Sequence, residues 1–287
     1  METILKSASK TVVIGPDKPT VFIGERINPT GKKKLAAALV AGDLDYVRAQ
    51  ATAQVDAGAD VLDVNVGAAG VDEPDMLPRA VQAVMEAVDS PVCIDTANLT
   101  ALRAALEMHK QLAPEGKPLV NSVNGEQSRL DGVLPLVAEY GAAVICLAMD
   151  DDGIPATGEA RLDVVRRIVE RADALDIPRE NLVVDCLALT VGADNQAAVV
   201  TLDAIRRVKE EYGLNMTLGA SNVSFGLPDR MTVNWIFLAM VIQSGVNCPI
   251  VDVAKVRTAV LATDLLLGRD SYGMRYISAY KKSLRAG

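Results

Sequence analysis

Histidine is almost missing from this chain: His109, in "ALEMHKQL", is the only one. A hydrolytic metal centre built on imidazoles and a Ser-His-Asp triad are therefore excluded, because His109 lies in a helical pattern away from any strand end. It is expected to be a surface or helix-packing residue. Aromatic residues make up only 3% of the chain, so its core must be built from Ala, Val, Leu and Ile. The four cysteines, Cys93, Cys146, Cys186 and Cys248, form no CxxC pair. Each sits in or beside an apolar β-like run and is expected to be a buried, reduced thiol. No P-loop GxxxxGK[ST] is present, and no GxGxxG turn follows a strand, which removes the common phosphate and dinucleotide cradles. "METILKSASK" contains no long apolar run of the secretory kind. The greasiest helical stretch, "WIFLAMVI", is followed by Gln243 and Gly245 and falls short of the ~20 residues a membrane span needs. A soluble, cytoplasmic protein is expected. Basic charge is in deficit too: the net charge of −8 excludes nucleic acid as a partner.

What is present is an alternation. Half of the 287 residues are apolar, enough for a large core without disulfides or metals. Eight short apolar runs read as strands: "TVFIGE", "ADVLDVNV", "PVCID", "PLVNSV", "AAVICLAM", "NLVVDCLAL", "MTLGASNV" and "CPIVDVA". Between them lie stretches such as "DLDYVRAQATAQVDAG" and "RLDVVRRIVERADAL", with apolar residues three and four apart and charges opposite. Glycines in "AGAD", "EYGAA" and "EEYGL" mark helix ends just before strands. Continuous apolar strands alternating with helices predict a covered parallel sheet, and eight units predict a closed (β/α)8 TIM barrel. No low-complexity linker divides it, so residues 1–287 are expected to be a single domain, with 1–19 as a lead-in.

A barrel of this kind places its site at the C-terminal ends of the strands. Those ends carry Glu25, Arg26 and Asn28; Asp63 and Asn65; Asp95; Asn121, Ser122 and Asn124; Met149 and Asp150; Asp185; Ser221 and Asn222; and Asp252. Asp, Asn and Ser also favour turns and helix caps, which suffices for the "DDDG" loop at 150–153. It suffices less well for Asp95, Asn121 and Asp185, which directly follow apolar residues in "VCID", "PLVN" and "LVVD". Groups that deep need partners, and a flat heterocycle edged with N–H and C=O would suit them. Lys255, in "VDVAKVR", could form a Schiff base, but it stands past the strand end near Arg257. "GKKK" at 31–34 reads as a solvated helix start rather than an anion site.

Seven motifs in order, "GERIN" (24–28), "DVNVG" (63–67), "CIDT" (93–96), "VNSVNGE" (120–126), "GIPATGEARL" (153–162), "VVDCLAL" (183–189) and "GASNVS" (219–224), cover nearly the whole chain. Together they resemble the pterin-binding barrel of the methyltetrahydrofolate–corrinoid methyltransferases and, more distantly, the folate module of cobalamin-dependent methionine synthase. The resemblance implies that Asp95, Asn121 and Asp185 hydrogen-bond the pterin ring and that Asn222 is a mobile carboxamide reaching pterin N5. It implies that Gly219 and Ser221 line the same wall, that Arg230 belongs to the loop after the seventh strand, and that Asp63 and Asn65 form the opposite wall. Glu25 of "GERIN" joins the folate-binding set, and Asn222 with Asp95 would be the catalytic pair.

The implied reaction moves a methyl group between N5 of tetrahydrofolate and the cobalt of a corrinoid, and it suits these residue types. A neutral tertiary amine is a poor methyl donor, so N5 needs hydrogen bonding or protonation in the transition state. An amide such as Asn222 supplies the hydrogen bond but not the proton, which would come through water and Asp95 or its neighbours. No Asp-x-His-x-x-Gly corrinoid motif is present, since the residue three after His109 is Leu112. The corrinoid is therefore expected on a separate protein docking at the barrel mouth, with no metal bound by this chain. A homodimer through apolar helices such as 235–242 is expected as well. Two rivals remain at this point. One is a dihydropteroate synthase-like enzyme, disfavoured because the first-strand loop is "GERINPTGKKK" and no late Ser-Arg-Lys run is present. The other is a non-catalytic folate-binding protein.

Overall fold

The computed structural model describes residues 1–286. The chain opens with a hairpin, β1 (Thr3–Lys6) and β2 (Thr11–Ile14), paired antiparallel with Thr3 opposite Ile14. The barrel strands follow: β3 (Ile23–Ile27), β4 (Val61–Val64), β5 (Val92–Asp95), β6 (Leu119–Asn124), β7 (Ala143–Leu147), β8 (Leu182–Asp185), β9 (Asn215–Thr217) and β10 (Ile250–Val251). Their order is β10-β3-β4-β5-β6-β7-β8-β9, all parallel. The bridge between Gly219 and Ile250, with the Ile250 N–H donating to the Leu218 carbonyl at 3.1 Å, closes the ring. The fold is a (β/α)8 TIM barrel, as the alternation predicts.

Helices α1 (Lys33–Val40), α2 (Leu44–Ala57), α3 (Glu73–Ala87), α4 (Leu99–Leu112), α5 (Gln127–Tyr140), α6 (Gly158–Asp173), α7 (Ala197–Tyr212), α8 (Arg230–Ser244) and α9 (Val253–Leu266) surround the strands, followed by α10 (Met274–Ala286). Their ends have local causes. Asp43, Asn98 and Thr157 accept N–H bonds from the first turns of α2, α4 and α6. Gly58, Gly141 and Gly213 take left-handed conformations that stop α2, α5 and α7. Among the described residues no helix is long and apolar enough to cross a membrane.

Two apolar layers result. One lies between strands and helices and contains Cys146 and Cys186. The other fills the barrel with Val21, Ile23, Val61, Cys93, Leu119, Ala143, Ile145, Val183 and Cys248. Leu5, Val12 and Ile14 of the hairpin join this inner layer. The first residues are thus more than a lead-in. The hairpin plugs the N-terminal end of the barrel, and Asn215 donates to Thr3 Oγ1 (2.8 Å) and to the Ile14 carbonyl (3.1 Å). All four cysteines are buried and unpaired.

The last two barrel strands are the shortest, with three and two residues. β9 ends at Thr217 and the chain turns into a 3₁₀ segment, Ala220–Ser224, so "GASNVS" is a turn rather than strand. β10 spans only Ile250–Val251 because α9 begins at Val253.

Candidate active site

The site follows from the period of a strand. Side chains alternate between faces, so a residue two beyond an inward one also points into the barrel. Two beyond Ile23, Val61, Cys93, Leu119 and Val183 stand Glu25, Asp63, Asp95, Asn121 and Asp185. The barrel interior therefore changes from apolar to polar within one step, at its C-terminal mouth.

Four of the expected residues meet directly. Asn121 Nδ2 donates to Asp63 Oδ1 at 3.2 Å, and the Asn65 carboxamide hydrogen-bonds the Asp95 carboxylate. Asn28 Nδ2 reaches Asp95 Oδ2 at 3.4 Å. Burial pushes both carboxyls up: Asp95 to about 6, and Asp63 well above the usual carboxylate range, with the charge of Asp95 adding to the effect. A hydrogen bond between the two lowers Asp95 and raises Asp63, and the buried pair resists carrying two negative charges at once. Asp95, Asn121, Ser122, Asn124 and Leu147 line an open depression of about 280 Å³. Arg129 fixes its rim by donating to the carbonyls of Ala97 (2.7 Å) and Ser122 (3.0 Å).

Asp185 is held by its own loop. The Leu187 N–H donates to Asp185 Oδ1 at 2.7 Å, and the Gly219 N–H also donates to this carboxylate. Burial still outweighs these bonds and lifts its pKa to about 6.

On the other side of the mouth, Glu25, Ser221, Arg230, Asn234, Asp252 and Lys255 line a second depression of about 270 Å³. Burial pushes the Glu25 carboxyl up, opposed by Lys32. Lys32 folds back rather than facing solvent, donating to the carbonyls of Glu25 (3.2 Å) and Asn28 (3.0 Å). The Arg26 backbone N–H donates to Gln54 Oε1 at 2.8 Å, and a Cβ at Gly24 would lie 2.5 Å from that oxygen. A larger residue at 24 would have to displace the Gln54 side chain from this bond. Arg230 braces the turn: Nη2 donates to the Ser221 carbonyl at 2.8 Å and Nε to Ser224 Oγ at 3.0 Å. Asn222 is exposed at the turn, its Nδ2 lying 3.4 Å from where a Gly219 Cβ would be. Its carboxamide bonds no described residue.

Some site residues escaped the sequence. Asn28 was visible at a strand end but carried no assignment. Lys32 looked solvated because nothing in "GKKK" signals a backward fold. Asn234 lies within an apolar helix, and its buried Oδ1 has no partner among the described residues. Arg161 sits inside a quoted motif, yet its spacing resembles that of any amphipathic helix.

The arrangement offers carboxylate acceptors and carboxamides in a desolvated ring, with the exposed amide of Asn222 at the edge. The family model described as "Pterin binding enzyme" matches residues 24–252. A methylcorrinoid:tetrahydrofolate methyltransferase of Eubacterium limosum is 31% identical over 271 residues, covering 91% of this chain and 96% of that protein. A methionine synthase of Mycobacterium leprae (strain TN) is 32% identical over 267 residues, covering 87% of this chain but 22% of its own length. Among solved structures, Yersinia pestis dihydropteroate synthase with a pterine-sulfa conjugate superposes with a TM-score of 0.70, covering 93% of this chain and 99% of that one. The identity there is 17%, so that likeness concerns the fold. By its sequence, its barrel and its polar mouth, the chain belongs to the family of pterin binding enzymes.

Proposed function

We propose that this protein transfers a methyl group between the cobalt of a corrinoid carried by another protein and N5 of tetrahydrofolate. The observation that carries the reading is the 31% identity to a methylcorrinoid:tetrahydrofolate methyltransferase over nearly the full length of both chains. The rival synthase reading rests on structures of 17% identity, which concern fold alone.

Asp185, Asp95 and Asn121 hold the pterin ring, their acceptors and amide matching its N–H and C=O edges. Asp63, Asn65, Glu25, Gly219, Ser221 and Arg230 complete the pocket walls, and Asn222 swings in to hydrogen-bond N5. In the direction of folate methylation, the N5 lone pair attacks the methyl carbon, the Co–C bonding pair stays on cobalt, and N5 loses its proton. The Asp63–Asp95 pair supports this step, since Asp95 near 6 is a base at neutral pH that can pass a proton through water. The reverse reaction returns that proton to N5 as the methyl leaves.

The corrinoid protein docks over the mouth, where the exposed Asn222 and Phe225 face it. The chain works as one domain in the cytoplasm, consistent with four unpaired buried cysteines. It forms a homodimer through α8, whose exposed Trp235, Ile236 and Met240 support an apolar interface. The test is incubation with tetrahydrofolate and a methylated corrinoid protein, followed by the corrinoid absorbance. Enzyme-dependent demethylation with matching 5-methyltetrahydrofolate supports the reading. Folate binding without transfer in either direction refutes it in favour of a binding protein.

A further inference from the structure

Arg161, on α6, is 1% exposed, and among the described residues no carboxylate lies within ion-pair distance of it. A buried cation without a counter-ion costs several kcal/mol unless its donors are satisfied. Here four acceptors converge on it. Nη1 donates to the carbonyls of Cys186 (2.7 Å) and Leu187 (2.8 Å) and to Thr201 Oγ1 (3.3 Å), and Nε donates to the Pro155 carbonyl (3.0 Å). Leu187 has φ 62°, a left-handed conformation that disfavours a leucine. Two successive carbonyls drawn to one guanidinium nitrogen hold it there, and Thr201 Oγ1 adds a bond to the Leu187 carbonyl at 2.9 Å. The Cys186 carbonyl and the Leu187 N–H share one planar peptide and point opposite ways, so the carbonyl held on Arg161 keeps the Leu187 N–H on Asp185 Oδ1 at 2.7 Å.

We propose that Arg161 is a positioning residue for the Asp185 carboxylate, acting through the Cys186–Leu187 turn and through its buried positive charge. The proposal rests on the reading that Asp185 receives the pterin N–H groups. Asp185 faces Arg161 from α6, its neighbour Cys186, and Cys248 before β10. Both thiols are pushed up by burial and stay neutral, so Arg161 is the permanent charge acting on Asp185. That charge opposes the rise of the Asp185 pKa, as do the Leu187 and Gly219 N–H bonds.

The test is tetrahydrofolate affinity by calorimetry from pH 5 to 8 for Arg161→Met and Arg161→Lys, with melting temperatures alongside. Arg161→Met is expected to weaken binding about 10- to 100-fold at pH 7. The pH at which affinity is lost on acidification should move upward from its wild-type midpoint, and Arg161→Lys should recover part of both effects. A stabilising role alone would lower the melting temperature without moving that midpoint. A folded Arg161→Met protein with wild-type affinity and midpoint overturns the proposal. Should that variant not fold, Thr201→Val, which removes one Arg161 partner and one Leu187 bond, is expected to weaken binding several-fold; unchanged affinity there overturns it equally. Asp185→Ala separates the two levels. Wild-type affinity in Asp185→Ala removes the pterin reading, whereas its loss beside an unaffected Arg161→Met removes only this inference.

Discussion

Replacing Asp185 with asparagine should make the protein no less stable at neutral pH while impairing its use of folate. The side chain keeps its shape, so the effect is one of charge. Burial lifts the Asp185 pKa from 3.8 to about 6, which corresponds to about 3 kcal/mol of destabilisation whenever the group is ionised. Asparagine removes this penalty. It also turns an NH2 toward one of two N–H donors, from Leu187 or Gly219, at a cost of about 1–3 kcal/mol. The net expectation at pH 7 is between no change and a gain of about 2 kcal/mol. The sign of the pH dependence follows. A carboxyl whose folded pKa is raised destabilises above that pKa, and the penalty fades as pH falls from about 6 toward 3.8. Any stability advantage of Asp185→Asn should therefore shrink between pH 7 and pH 5, as wild-type Asp185 takes up its own proton. Pterin affinity should meanwhile fall about 10- to 100-fold at pH 7, through loss of a charged acceptor. Urea unfolding at the two pH values and calorimetry with tetrahydrofolate measure both halves. An Asp185→Asn protein several kcal/mol less stable than wild type, with undiminished affinity, would refute the reasoning.

Other outcomes follow from single groups. Asn222→Ala should slow methyl transfer about ten- to a thousand-fold at saturating folate, as expected for a lost transition-state hydrogen bond; a wild-type single-turnover rate would remove Asn222 from that role. Asp264 is fully buried and accepts from the Thr20 N–H (2.8 Å), Thr20 Oγ1 (2.7 Å) and Arg275 (3.2 Å), tying the entry of β3 to α9 and α10. Asp264→Ala should cost about 3–5 kcal/mol in urea unfolding, and a loss under about 1 kcal/mol would contradict this network's importance. His109 is buried with Nε2 unpartnered among the described residues, and burial pushes its pKa down from 6.5 to about 4. A base lowered in this way loses stability as pH falls below 6.5 toward 4, so His109→Met should flatten the acid side of the stability profile. Identical acid profiles for the two proteins would contradict that assignment.

The barrel was legible because eight apolar runs and their glycine stops repeat one local grammar, and each run is long enough to reveal its period. The polar layer was legible for the same reason: Asp95 and Asp185 stand one strand period beyond the inward-facing Cys93 and Val183. What escaped depends on contacts between distant segments. The hairpin at 3–14 is a pair of four-residue strands whose role appears only when Leu5 and Ile14 meet Val61 and Val183 inside the barrel. The 3₁₀ turn at 220–224 read as strand because its apolar residues continue the pattern of β9, while closure against the two-residue β10 cuts that strand short. Arg161 is a charge three of whose four partners are backbone carbonyls, and a carbonyl leaves no trace in sequence.

The central claim is methyl transfer, and its most direct measurement is a single turnover. Excess enzyme, tetrahydrofolate and a methylated corrinoid protein are mixed without oxygen, and the corrinoid spectrum and the folate product are followed together. One 5-methyltetrahydrofolate formed for each cobalt demethylated, at a rate set by this enzyme, is the predicted result. Tight folate binding with the methyl–cobalt spectrum unchanged, for transfer in both directions, would contradict it.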